Sequence, residues 1–234
     1  MTEGQPWRRI VEFSIPLLVG NVAQQFYNTA DSIVVGRFIG DNALAAVGSA
    51  GPILNLLLVL FVGIAVGAGI MVSQYFGAKD RKNLSHTIGT CITLTAIASG
   101  VMMVVGPLVS RPLLELLNTP PSIIDWCTDY LNIFFLGSVG FSYFNILSGV
   151  LRGLGDSISA LIYLLVATAL NVVLDIVFVA YFHMGVPGVA LATVLAQMVS
   201  AVLCLRKLRS MGDIFDLNWS VLKLNREHSL TVIR

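Results

Sequence analysis

Charge is what this sequence has least of. Only 12% of its 234 residues are Asp, Glu, Lys or Arg, about half the share of an ordinary soluble domain. That shortage, set beside 56% hydrophobic residues and a mean hydropathy of +0.84, excludes a water-soluble globular chain. There are only three cysteines, Cys91, Cys127 and Cys204, far apart in or beside apolar runs. Their odd number and the lack of a C-x-x-C pair exclude a disulfide framework and a thiolate metal site, and leave them as packing residues. No basic face interleaved with aromatics is present, which excludes nucleic acid as a partner. No Walker loop, G-x-S-x-G elbow or H-E-x-x-H pair occurs, so no enzymatic constellation competes for the reading. No small-residue cleavage site follows the first apolar run, so the first helix is expected to be retained rather than removed as a signal peptide.

What is present is a series of apolar runs long enough to cross a bilayer. Six spans are expected, at about 10–36, 44–76, 86–110, 128–151, 159–182 and 187–207. The expected fold is an all-α integral membrane bundle of six helices over 1–207, with 208–234 as a cytoplasmic tail or linker. Lys and Arg set the orientation. Arg8, Arg9, Lys79, Arg81, Lys82, Arg152, Arg206, Lys207, Arg209, Lys223, Arg226 and Arg234 fall on one side, and only Arg37 and Arg111 on the other. Both termini are therefore expected in the cytoplasm, in a multi-pass protein of the cell (inner or plasma) membrane.

The first span carries the most informative residues. An ionised Asp at the centre of a membrane helix costs about 2.5–3.5 kcal/mol on insertion scales, so Asp31 needs a proton, a cation or a buried partner. Gln24, Tyr27 and Asp31, three and four residues apart, share one helix face. In the fifth span Asn171 and Asp175 stand four apart and share another face. At 1.5 Å per residue, Asp31 and Asp175 lie roughly 30 and 24 Å from the cytoplasmic side, and Thr193 lies within two turns of the outer end of the sixth span. Asp31, Asn171, Asp175 and Thr193 thus reach a similar depth. Two carboxylates, an amide oxygen and a hydroxyl form a hard oxygen site that suits H⁺ or Na⁺ rather than a soft transition metal. Desolvation and a nearby like charge both favour the protonated carboxyl, and a bound cation can replace that proton. The bland alternative for each Asp is contact with interfacial water, and for Asn and Thr simple interhelical hydrogen bonding. No cofactor is expected beyond the coupling ion.

Other polar and special residues carry weaker signals. Asn145 and Asn55 can line a cavity or bond locally. Glu12 can snorkel to the interface, and His183 falls in a solvated loop. Pro16 and Pro52 fall in helices, where proline marks a bend more often than an end, so Pro16 is a hinge candidate. Gly63, Gly67 and Gly69 suggest a small-residue packing face.

These residues resemble a known family. Pro16, Gln24, Tyr27 and Asp31, then Val35-Gly36-Arg37 through Gly40 and the run from Ala43 to Gly48, are similar to the opening of multidrug and toxic compound extrusion (MATE) transporters. So are Gln74-Tyr75-Phe76-Gly77-Ala78-Lys79-Asp80, Leu151-Arg152-Gly153-Leu154-Gly155-Asp156 and Asn171-x-x-x-Asp175. The likeness covers nearly the whole chain. It implies an antiporter that expels organic cations and other drugs in exchange for H⁺ or Na⁺, with a cation site resembling Asp31, Asn171, Asp175 and Thr193. It also implies Gln24 and Tyr27 near that site or the substrate cavity, and a proline-dependent bend that keeps Pro16 in play. Family members have twelve helices in two lobes, and this chain looks like the N-terminal lobe alone. It is expected to be a truncated chain, half of a split transporter, or a parallel homodimer. Two alternatives stand beside this: a lipid-linked oligosaccharide flippase of the same superfamily, and a non-transporting membrane partner subunit. Membrane lipid, small organic cations and a second six-helix lobe are the expected partners.

Overall fold

The computed structural model describes residues 6–215, and every regular element among them is helical. The elements are α1 (Pro6–Phe38), α2 (Asp41–Gly77), α3 (Arg81–Leu116), α4 (Ile124–Leu136), α5 (Ser138–Gly153), α6 (Ser157–Asp175), a π-helical continuation of α6 (Ile176–Tyr181), and α7 (Gly185–Ser210). The α2, α3 and α7 segments, and α6 with its π-helical continuation, are each long and apolar enough to cross a membrane, and the bent α4–α5 pair meets the same test when taken as one span. The sixth long unit, α1, has 33 residues, but Asn21, Gln24, Gln25, Asn28 and Asp31 make it the most polar of the set. The fold is an all-α membrane bundle of six long helical units.

The fourth unit departs from the expected single helix over 128–151. It breaks at Gly137 and the two halves meet at 54°. The cause is a close crossing with α7. A Cβ on Gly137 would stand 2.3 Å from a Val194 methyl, and one on Gly140 would stand 2.5 Å from Met198 Cγ. Glycine at both positions lets the backbone turn against α7 where any side chain would push it away.

Two tight turns at one end of the bundle share one design. After α2, Lys79 takes a positive φ of 57°, Asp80 N–H donates to Tyr75 O, and the Asp80 carboxylate accepts from the Asn83 backbone N–H at 3.1 Å. After α5, Gly155 takes a positive φ of 85°, Asp156 N–H donates to Leu151 O, and the Asp156 carboxylate accepts from the Ser159 backbone N–H at 3.0 Å. Each turn closes one helix with a left-handed residue and caps the next with an Asp. These caps start α3 at Arg81 and α6 at Ser157, a few residues before the sequence expectation. Because α3 passes through Pro107 and Pro112 without ending, it runs on to Leu116.

At the α2–α5 crossing the two backbones approach closely. A Cβ on Gly149 would stand 2.7 Å from Ala65 O, and one on Gly153 would stand 2.6 Å from Gly69 O. Small residues four apart on each helix, Ala65 and Gly69 against Gly149 and Gly153, let the backbones touch. Of the glycines expected to form the packing face, Gly69 takes part, whereas a Cβ on Gly63 would meet nothing within 4 Å.

Two apolar clusters hold the ends of the bundle. One joins Val35, Ala46, Leu131 and Val189. The other joins Leu84, Leu147, Leu151, Leu208 and Phe215. Phe215 is buried, and Arg81 donates to the carbonyls of Asp213 and Gly212, so the first residues after α7 fold back on the bundle. Most of the expected tail, with Lys223, Arg226 and Arg234, lies outside the described residues. The three cysteines are free and buried.

Candidate functional site

The polar residues gather between the two apolar clusters, on three helices that each contribute a pair one turn apart. Helix α1 presents Tyr27 and Asp31, α6 presents Asn171 and Asp175, and α7 presents Thr193 and Gln197. A spacing of four puts each pair on one face of its helix. All six side chains are buried, with Asn171 and Asp175 at 0% exposure. The carboxyls of Asp31 and Asp175 face each other, and the Tyr27 hydroxyl faces Thr193 and Gln197. Tyr130 of α4 closes the same site.

Asn171 Nδ2 donates to Thr193 Oγ1 at 3.1 Å, which ties α6 to α7. With the amide nitrogen so used, the amide oxygen is left over. Among the described residues, eight buried side-chain polar atoms lack a hydrogen-bond partner. Six of them are oxygens of this one site: Tyr27 Oη, Asp31 Oδ1, Asn171 Oδ1, both Asp175 oxygens and Gln197 Oε1. An unpaired buried polar group costs about 1–3 kcal/mol, so the site favours any proton, water or ion that can pair with these oxygens. Every free atom is an oxygen, and five of the six come from carboxyl or amide groups. That set fits a proton on the carboxyl pair or a hard monovalent cation among the oxygens. No group of three or more His, Cys, Asp and Glu side chains comes together among the described residues, so the two carboxyls set the charge of the site.

The π-helical segment begins at Ile176, directly after Asp175. Such widened turns concentrate at functional sites. Here Phe178 packs against Gly188 of α7, where a Cβ would stand 3.2 Å from Phe178 Cβ. The wide turn and the bare glycine bring α6 and α7 together just beyond the carboxyl pair.

A cavity of about 340 Å³ opens onto this site. Asp31, Tyr27, Thr193 and Gln197 form its polar wall, and Tyr130, Phe134, Phe135, Phe141 and Phe144 its aromatic wall. Gln24, Asn145 and Asn55 also line it. Asn145 donates to Phe141 O at 2.9 Å, so it bonds locally and lines the cavity at once. A second cavity of about 220 Å³ lies nearer the basic end, with Pro16 and Arg152 in its wall. Gln24, Phe144 and Asn145 border both. The structure thus brings Asp31, Asn171, Asp175, Thr193 and Tyr27 together, sets Gln24 and Asn145 between the two cavities, and leaves Pro16 apart in the second. Sequence reasoning missed Gln197 and Tyr130. An amide four residues after Thr193 in an apolar helix was a usable signal, and nothing in the sequence marks Tyr130.

A bundle of six long helical units with paired carboxyls buried between three of them is the architecture of a membrane transporter lobe. The MatE family model matches residues 16–177, and the chain belongs to that family, the MATE transporters. The chain is 30% identical over 235 residues to "Probable multidrug resistance protein YoeA" of Bacillus subtilis (strain 168), covering 97% of this chain and 51% of that protein. It is 33% identical over 199 residues to "Probable multidrug resistance protein YpnP" of the same strain, covering 85% and 45%. Its fold matches a solved structure of MATE in the bent conformation, with a TM-score of 0.89 and 27% identity, over 96% of this chain and 50% of that one. The chain spans about half the length of the curated relatives it matches.

Proposed function

We propose that the chain is a cation-coupled multidrug antiporter, using H⁺ or Na⁺, or the N-terminal lobe of one, and that it exports organic cations. The six unpaired oxygens around Asp31 and Asp175 carry this reading. Asp31, Asn171, Asp175 and Thr193 hold the coupling ion, and Tyr27 and Gln197 complete its shell. Cargo occupies the larger cavity, where aromatic faces and one carboxylate attract a flat organic cation. Asp31 belongs both to that cavity and to the ion site, so ion and cargo compete for one carboxylate. This competition is the physical basis of exchange: binding one lowers the affinity for the other. Pro16, which leaves α1 without one backbone N–H, is the hinge about which α1 moves. Family likeness to YoeA and YpnP, both described as probable multidrug resistance proteins, supports drug-like cargo. The second lobe that the family architecture calls for comes from the remainder of a longer chain, from another six-helix chain, or from a parallel copy of this one. The basic residues near α1's start, the two capped turns and the end of α7 support cytoplasmic termini.

The test is efflux of a fluorescent organic cation from cells producing this chain, with Asp31→Asn and Asp175→Asn beside it. Export by the parent and none by either variant is the expected result. Equal export by parent and variants overturns the coupling role of the carboxyls.

A further inference from the structure

The cation site does not account for the second cavity. That cavity lies at the basic end between α1, α2, α5 and α6, with Arg152, Ser148, Ser157, Asn21 and Gln24 as its polar wall. Arg152 is partly buried, and among the described residues it has neither an acidic partner nor a hydrogen-bond acceptor. The nearby Asp156 is already committed. It accepts from the Ser159 backbone N–H at 3.0 Å and hydroxyl at 2.7 Å, and pairs with Lys207 at 3.4 Å. Among the described residues no carboxylate lines the cavity. Its wall also contains the first residue of α6, whose dipole adds positive potential of the same sign. A guanidinium removed from water and left unpaired is costly, and its planar fork matches a phosphate.

The surroundings decide which phosphate. The rim of the cavity is apolar, with Leu17, Leu161 and Leu164. Beyond it, Leu18 and Val22 of α1 and Ile158 and Ile162 of α6 point outward, at 63, 55, 63 and 49% exposure. These exposed apolar faces suit acyl chains in a membrane bundle. A basic pocket between membrane helices at the basic end is a recognised setting for anionic headgroups. Among the described residues nothing in the lining would receive the ammonium of a zwitterionic lipid.

We propose that this cavity binds the phosphate of an anionic membrane lipid on Arg152, with the acyl chains lying along the outer faces of α1 and α6. Such a lipid stabilises the α1–α6 contact beside Pro16. The site is independent of the transport reading, because it needs neither carboxyl of the ion site.

The test is lipid retention by the purified full chain in detergent, read by native mass spectrometry and by thermal shift on adding phosphatidylglycerol or phosphatidylcholine. The parent is expected to retain phosphatidylglycerol over phosphatidylcholine and to gain thermal stability from it. Arg152→Gln is expected to lose at least tenfold in retention, Arg152→Lys to keep part of it, and the exposed Arg206→Gln to keep all of it. Inorganic phosphate at tens of millimolar is expected not to displace the lipid. Retention unchanged in a folded Arg152→Gln overturns the site. Equal loss in Arg206→Gln overturns it in favour of diffuse surface charge. Displacement by inorganic phosphate overturns the lipid in favour of a free anion.

Discussion

Asn171 and Thr193 join α6 to α7 through one hydrogen bond of 3.1 Å, and that bond decides which end of the Asn171 amide is free for an ion. Donation to Thr193 engages the nitrogen and leaves the buried oxygen without a partner. Thr193→Val removes the acceptor while keeping the shape. The amide can then rotate and present a donor to the cation. We expect about a tenfold loss of cation affinity, equivalent to about 1.4 kcal/mol, with the fold intact by circular dichroism. Thr193→Ser, which keeps the hydroxyl, is expected to retain most of the affinity.

Gln197 stands one turn beyond Thr193 with its amide oxygen unpaired. Gln197→Leu removes that oxygen from the shell without touching either carboxyl. Weaker ion binding and slower efflux are expected, with a smaller effect than Asp175→Asn produces. Direct ion-binding isotherms on the two variants check the order.

The α2–α5 crossing has no room for a methyl group at Gly149, where a Cβ would meet Ala65 O at 2.7 Å. Gly149→Ala is expected to destabilise the folded chain by about 1–3 kcal/mol, the usual range for overpacking. Gly63→Ala, in open space, is expected to be close to neutral. Thermal unfolding in one detergent compares them.

Asp80 and Asp156 cap α3 and α6 from the loops. Hydrogen bonds from the backbone and side chain of Asn83 hold the Asp80 carboxyl below the usual carboxylate range. Partial burial pushes the Asp156 carboxyl up, but hydrogen bonds from Ser159 and the charge of Lys207 outweigh it and bring it below that range as well. A carboxyl lowered by folding contributes stability that is fully present above its unfolded value of about 3.9. That contribution is lost as pH falls through the lower folded value. The parent should therefore lose stability below about pH 4, and Asp156→Asn should show a shallower loss. Asp156→Ala should cost about 1 kcal/mol at neutral pH through the lost cap.

Much of the site was legible because its residues break the apolar pattern. Asp31 and Asp175 are conspicuous in hydrophobic runs, and depth along a helix follows from counting residues. Asn171 was found through its spacing to Asp175, and Thr193 through its distance from the start of its span. The same spacing argument applied to Thr193 leads to Gln197, which a wider search for amides would have found. Tyr130 looks like any other large residue filling a span, and only the packing of α4 against α7 and α2 brings it beside the site. The break at Gly137 depends on how near α7 comes, a tertiary fact with no local signature. Gly153 was read as part of a motif after the fourth span and Gly149 was not singled out, yet both serve a helix crossing. Arg152 counted toward topology and the family motif but not as a binding residue, because its lack of a partner shows only when the neighbouring helices are in place.

The central claim is that the carboxyl pair and its neighbouring oxygens hold the coupling ion. Equilibrium binding of radioactive Na⁺ to the purified chain, measured across a pH series, tests it most directly. The account predicts one saturable site per chain, with Na⁺ and protons competing for it, and no binding in Asp31→Asn or Asp175→Asn. Should Na⁺ fail to bind at any pH, proton uptake on raising and lowering pH must differ between parent and Asp175→Asn. Binding and proton uptake that are the same in the parent and in both carboxyl variants would contradict the account.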